Sequence, residues 1–126
     1  MKTVYSPLHA GHAGTMELNS GELVPGFEKP SRAEIIRARV ESEKLGPILA
    51  PEPHDLAAAR RVHRADYIDF LPTIYPAWEE SGRAGSAIPF TWPTRGLRGD
   101  VRPETIDALL GFYSFDGGAP FVKGTW

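Results

Sequence analysis

The chain has 126 residues, with 14 Lys and Arg against 16 Asp and Glu, a formal charge of −2. That length supports one small domain rather than two, and a near-neutral chain gives no electrostatic support for a nucleic-acid groove or an anionic membrane surface. The lack of cysteine excludes disulfide frameworks, thiolate zinc sites and cysteine nucleophiles together.

At 41% hydrophobic the chain can build a core, and its 13 Gly and 12 Pro predict a loop-rich fold. No run approaches the roughly eighteen apolar residues of a membrane helix. Met1 to Gly14 lacks the apolar stretch of a secretory signal, so a cytoplasmic protein is the expectation.

Lys2 to Ser6 reads as a short strand, with Val4 and Tyr5 supplying β-propensity and Pro7 ending it. Leu8 to Lys29 shows little periodicity and reads as a long loop. Ser31 and Glu34 have the spacing of a capping box, and Ala33, Ile36 and Val40 follow as one buried stripe of a helix. Gly46-Pro47 is expected to stop that helix. Ile48 to Ala50 reads as a second short strand. Asp55 is placed to cap a helix through Val62. A further helix from Asp66 to Leu71 is expected to continue past Pro72 into Tyr75 and Trp78.

From Gly82 to Pro103 glycine and proline punctuate the chain, while Ile88, Phe90, Trp92 and Leu97 argue for an ordered loop packed on something. Pro103 suits the first turn of a last helix, Glu104 to Tyr113, with Ile106, Leu109, Leu110 and Tyr113 on one face. Ser114 to Trp126 contains no obvious closing element. Lys2 to Ala50 makes one βαβ unit. Two parallel strands need both faces covered, so the chain reads as the opening of a larger α/β domain.

Arg61-Val62-His63-Arg64-Ala65-Asp66-Tyr67-Ile68-Asp69-Phe70-Leu71 and Lys29-Pro30-Ser31-Arg32 resemble segments of the arginase/histone-deacetylase superfamily. Gly21 to Glu28 and Leu110 to Asp116, followed by Gly124-Thr125-Trp126, narrow the resemblance to bacterial acetylpolyamine amidohydrolases. The resemblance covers essentially the whole chain, in the same order. It implies the N-terminal portion of a three-layer α/β fold with a parallel sheet, residues 1–126 forming a single segment of it. It also implies a zinc-dependent deacetylase acting on acetylated polyamines. The family's zinc ligands, Gly-His-His pair and late tyrosine have no counterpart in this sequence, so catalysis and bound zinc are not expected of the chain by itself.

His9 and His12 are the only close histidine pair, and Glu17 would be the third ligand of a metal site. Neither the Gly-rich spacing nor the resemblance supports a metal there, and polar loop histidines are the expectation. His63 reads as a histidine at the edge of the core, and His54 as a solvated turn residue. Arg32 is poorly placed for the helix dipole. The resemblance puts it in a cavity through which acetate leaves; an exposed arginine paired with Glu28 is the other reading.

Glu17, Asn19, Glu22 and Phe27 fall where the family has part of the substrate-channel rim. Carboxylates and an aromatic face suit a cationic polyamine, although the family often has an aromatic where this chain has Asn19. Residues 82–118 match the family's dimerisation and channel insertion, which implies a homodimer. Within it Asp107 matches an acidic position, whereas Gly118 stands near a second that lacks its carboxylate. Phe90, Trp92 and Trp78 are either interface anchors or core. The competing function class is a non-catalytic oligomerisation or cation-binding module.

Overall fold

The computed structural model describes residues 1–94 and 99–126. In chain order the elements are β1 (Thr3–Val4), a 3-10 helix (Pro7–Gly11), β2 (Met16–Asn19), β3 (Glu22–Pro25), α1 (Ser31–Ser42), β4 (Ile48–Leu49), α2 (Ala57–Arg60), α3 (Ala65–Glu80) and α4 (Ile106–Tyr113).

The expected βαβ unit is present: β1 and β4 pair in parallel, Thr3 opposite Ile48 and Val4 opposite Leu49. Side chains alternate between faces of a strand. Thr3 and Ile48 are half-buried on one face, and Tyr5 extends that face toward α1. There its hydroxyl donates to Glu34 and its ring lies 4.9 Å from the Arg37 guanidinium carbon. The burial and the Glu34 acceptor together push the Tyr5 hydroxyl above the usual tyrosine range, the hydrogen bond being the larger cause.

Several local expectations are corrected. The loop of residues 8–29 contains an antiparallel hairpin, β2 with β3, in which Glu17 opposes Val24 and Leu18 opposes Leu23. Its two-residue turn is Ser20-Gly21, with φ of 52° and 86°. Positive φ at both central positions is the type I′ geometry that matches strand twist. The capping box does not form. Ser31 lies inside the first turn, Pro30 holds the cap position without a side-chain bond, and Glu34 is taken by Tyr5. Of the predicted stripe, Val40 is buried and Ala33 half-buried, but Ile36 is 57% exposed.

The helix ends before Gly46. Leu45 N–H donates to Val40 O and Lys44 N–H to Glu41 O, both at 3.1 Å, around Lys44 in the left-handed region at φ 51°. This is a Schellman closure built on lysine in place of glycine. Gly46 is required for another reason: a Cβ there would lie 2.1 Å from Met1 O.

Asp55 does accept the Ala57 N–H at 2.9 Å, but α2 is only four residues long. α3 runs without a break through Pro72 and Pro76, as expected for the first of these. Each proline removes a helical N–H, a loss of about 3 kcal/mol in a helix interior, and an extensive apolar stripe offsets it. Phe70, Ile74, Ala87, Leu110 and Phe121 form the core, flanked by Tyr67, Leu71, Trp78, Ile106, Leu109 and Tyr113. The Phe70 ring stacks on Tyr113 at 4.4 Å and meets Phe121 edge-on at 5.3 Å.

α4 begins at Ile106, so Pro103 lies outside its first turn; its predicted apolar face is on the core. The tail closes the structure after all. Ala87 and Phe121 exchange backbone hydrogen bonds of 2.8 and 3.1 Å, and Phe121 and Val122 are buried. This bridge also answers what the 82–103 loop packs on: Ala87 and Pro89 are buried within it, while Phe90 is 65% exposed. Gly96 and Leu97 lie outside the described residues. No helix among the described residues is long and apolar enough to cross a membrane.

Candidate functional site

Four separate segments meet around a cavity of about 410 Å³. The 3-10 helix and its exit contribute His9 and His12. The hairpin contributes Met16 and Glu17, the approach to α1 contributes Glu28, Lys29, Pro30 and Arg32, and the tail contributes Gly118, Ala119 and Pro120. Close backbone approaches hold the segments together. A Cβ at Gly26 would lie 2.8 Å from Gly14 O, and one at Gly124 would lie 2.2 Å from Gly11 O. Leu18 N–H also donates to Gly117 O at 3.1 Å, fastening the hairpin to the tail.

Of the residues singled out in the sequence, Glu17 and Arg32 line this cavity. Glu17 Oε2 accepts the Phe27 N–H at 3.2 Å, so the carboxylate also fixes the chain where it leaves the hairpin. Phe27 itself is 69% exposed beside it. Asn19 and Glu22 oppose each other next to the hairpin turn, both exposed and away from the cavity lining. Arg32 is exposed on the cavity wall and donates to Glu28, the setting expected of an exposed arginine paired with that glutamate.

Asp107 stands apart on α4. Its carboxylate accepts two hydrogen bonds from Arg83, at 2.6 and 2.9 Å, and the Arg83 guanidinium carbon lies 4.7 Å from the centre of the Trp78 ring. The hydrogen bonds to Asp107 push Arg83 above its ordinary value. Trp78 is thereby part of the core edge, while Trp92 is 38% exposed.

His9 is more constrained than a loop histidine. Its Nδ1 lies 2.7 Å from Ser6 O and its Nε2 3.2 Å from Pro30 O, so both ring nitrogens face carbonyl oxygens. His12 Nδ1 lies 3.1 Å from Thr125 Oγ1. Among the described residues no group of three or more His, Asp or Glu converges as a metal site, so the residues present do not fit a zinc ion. His63 is exposed, not tucked at the core edge, with its ring tilted against Tyr67 at 5.7 Å. His54 is exposed as expected.

Sequence reading did not find the tail's part in this cavity. Residues 118–120 have no periodicity and sit about a hundred positions from His9 and Glu17; only the folded chain brings them together. Nearby in sequence, Phe115 is 97% exposed and Asp116 Oδ1 accepts the Gly118 N–H at 2.9 Å. The cavity wall thus carries the Glu17 and Glu28 carboxylates and the Lys29 and Arg32 cations, Glu28 and Arg32 being paired with each other.

No protein-family model matches the chain. Acetylpolyamine amidohydrolase 2 and acetylpolyamine amidohydrolase 1 of Pseudomonas aeruginosa are 44% and 42% identical to it over 126 and 127 residues. Those matches take in all of this chain but 36% and 37% of the two relatives, so it spans about a third of their length. A crystal structure of acetylpolyamine aminohydrolase from Burkholderia pseudomallei shares the fold, with a TM-score of 0.78 at 22% identity, over all of this chain and 36% of that one. Along its full length the chain is similar in sequence to about a third of each of the two Pseudomonas aeruginosa acetylpolyamine amidohydrolases, and its fold is similar to about a third of the Burkholderia pseudomallei structure.

Proposed function

We propose that this chain is part of a zinc-dependent deacetylase that hydrolyses the amide bond of acetylated polyamines, releasing acetate and a free amine. The observation that carries the reading is 44% identity, sustained over all 126 residues, to an acetylpolyamine amidohydrolase. The cavity supports it. Glu17 places a carboxylate on the cavity wall that suits a polyamine ammonium group, Glu28 being paired with Arg32, and the exposed Phe27, just outside the lining, has an aromatic ring suited to cation–π contact. In this reading Asn19 and Glu22 belong to the substrate-channel rim, carried by the hairpin outside the cavity lining. Arg32 has the planar donor array that matches a carboxylate such as acetate.

Zinc would be held outside the residues of this chain, and no step of the hydrolysis is assigned here through it. The chain's own part is to bind, orient and wall off the substrate. In this reading residues 82–118 form the contact of a homodimer, with the exposed Phe90 and Trp92 as anchors and Asp107 approaching the neighbouring subunit's substrate. The setting is cytoplasmic, with which a cysteine-free chain agrees.

The test joins this chain to the unmatched part of Pseudomonas aeruginosa acetylpolyamine amidohydrolase 2, in place of the stretch it matches. The joined protein, supplied with zinc, is expected to release acetate from acetylated polyamines, and the 126-residue chain by itself is expected to release none. A folded, zinc-loaded joined protein that leaves those substrates intact overturns the proposal. Release of acetate by the chain alone overturns the division of labour.

A further inference from the structure

The polar groups on the cavity wall divide into those already engaged within the chain and those left over. Glu28 and Arg32 are paired with each other and offset one another. The imidazoles are engaged as well, His9 between the Ser6 and Pro30 carbonyls and His12 against Thr125. The tail brings Gly118, Ala119 and Pro120, which add no charged side chain. Two charged groups remain, the Glu17 carboxylate and the Lys29 ammonium. Among the described residues neither makes an ion pair.

Both are anchored. Glu17 is half-buried in β2, with its Oε2 accepting the Phe27 N–H at 3.2 Å. Lys29 is exposed where the chain approaches α1, and its carbonyl accepts the Arg32 N–H at 3.0 Å, which ties its backbone to the start of that helix. Opposite charges brought into contact with these two groups are attracted and like charges repelled. A ligand that satisfies both therefore carries an ammonium and a carboxylate together. A chain of several ammonium groups matches the wall less well, because a single free carboxylate receives it and Lys29 repels the next positive charge. At about 410 Å³ the cavity has the volume of a small-molecule site.

We infer that the cavity selects an acetylated amine whose far end is an amino acid, an Nω-acetylated diamino acid, with the α-ammonium on Glu17 and the α-carboxylate on Lys29. The acetyl group rests on the family reading above, and the paired charges rest on the cavity. Hydrolysis of this substrate consumes one water: the amide C–N bond breaks, the acyl carbon gains the oxygen, and the nitrogen gains the proton. The products are acetate and the free diamino acid.

Nδ-acetylornithine and N-acetylputrescine test the inference, since they differ by one carboxylate. Each is titrated into the 126-residue chain, with the Phe27 and Arg32 amides followed by nuclear magnetic resonance. Nδ-acetylornithine is expected to bind about three- to fivefold tighter, the scale of one exposed ion pair, although the chain's charge of −2 favours the cationic acetylputrescine. Lys29→Gln is expected to reverse that order, weakening acetylornithine and strengthening acetylputrescine, from which a like charge has been removed. Lys29→Arg is expected to keep the order, and Glu17→Gln to weaken both ligands. In the joined protein supplied with zinc, kcat/KM is expected to follow the same order.

Equal binding of the two ligands, tighter binding of acetylputrescine, binding of neither, or a Lys29→Gln loss shared equally by both overturns the inference. Hydrolysis of acetylputrescine by the joined protein without a preference for acetylornithine also overturns it and leaves the proposed function standing. A joined protein that hydrolyses neither, while the chain keeps its Lys29-dependent preference, overturns the proposed function and leaves this inference in place.

Discussion

Gly111 sits in the middle of α4, where alanine would ordinarily be the better helix former by about 1 kcal/mol. Its surroundings reverse that preference. A Cβ at this position would lie 1.6 Å from Thr91 O, 2.7 Å from Thr91 C and 3.4 Å from Trp92 Cα. The obstructing atoms are backbone, so no side-chain rotation relieves the contact. The loop would have to move outward by about 1.5 Å to restore an ordinary carbon–oxygen separation. Its inner end is fixed, since Pro89 is buried and Ala87 is bonded to Phe121 in both directions. Overpacking of this kind costs about 1–3 kcal/mol, and a rigid obstacle belongs at the upper end. Subtracting the propensity gain leaves Gly111→Ala less stable by about 2 kcal/mol. Urea unfolding followed by tryptophan fluorescence reads this directly, and the midpoint should fall by roughly 1–2 M at an m-value typical of small domains. An unchanged or raised midpoint would refute the packing of residues 89–92 on α4.

Lys44→Gly should act in the opposite direction, because lysine now occupies a left-handed position; a gain of about 0.5–1 kcal/mol is expected from its melting temperature, and no gain would count against the Schellman closure. Asp107→Asn and Arg83→Gln should each destabilise the chain slightly, with coupling in a double-mutant cycle that weakens in high salt. Additive effects would mean that the paired hydrogen bonds contribute nothing. Asp66 supplies a pH dependence. Hydrogen bonds from Arg64, foremost, and from the Tyr113 hydroxyl hold its carboxyl below the usual range against the opposing effect of burial. A depressed carboxylate contributes stability that is present above the unfolded pKa of about 4 and lost as pH falls through the lower folded value. Asp66→Asn should therefore flatten the acid limb of stability against pH, and an unchanged limb would remove Asp66 as its cause.

The α3 and α4 stripes were legible in the sequence because a buried helix face imposes a period that residues such as Phe70, Ile74, Ile106 and Leu110 display without help from distant parts of the chain. The parallel βαβ unit was legible from β-prone segments separated by a helix, and the family resemblance from motifs in the right order. The β2–β3 hairpin escaped notice because each strand is only four residues long and its turn relies on Ser20 adopting positive φ, which serine seldom signals. The capping box failed for a tertiary reason: Tyr5 competes for Glu34 from another element. The same holds for Ile36, whose place on a helical stripe says which face it shares with Val40 but not whether anything covers it.

The cavity was the least legible feature. Glu17, Arg32 and residues 118–120 converge because Gly26 and Gly124 let backbones from distant segments approach one another. Local sequence thus determined which segments coil and what chemistry each carries, because propensity and periodicity act over a few residues. The tertiary structure decided which of those residues face a common space, because that depends on contacts between segments far apart in the chain.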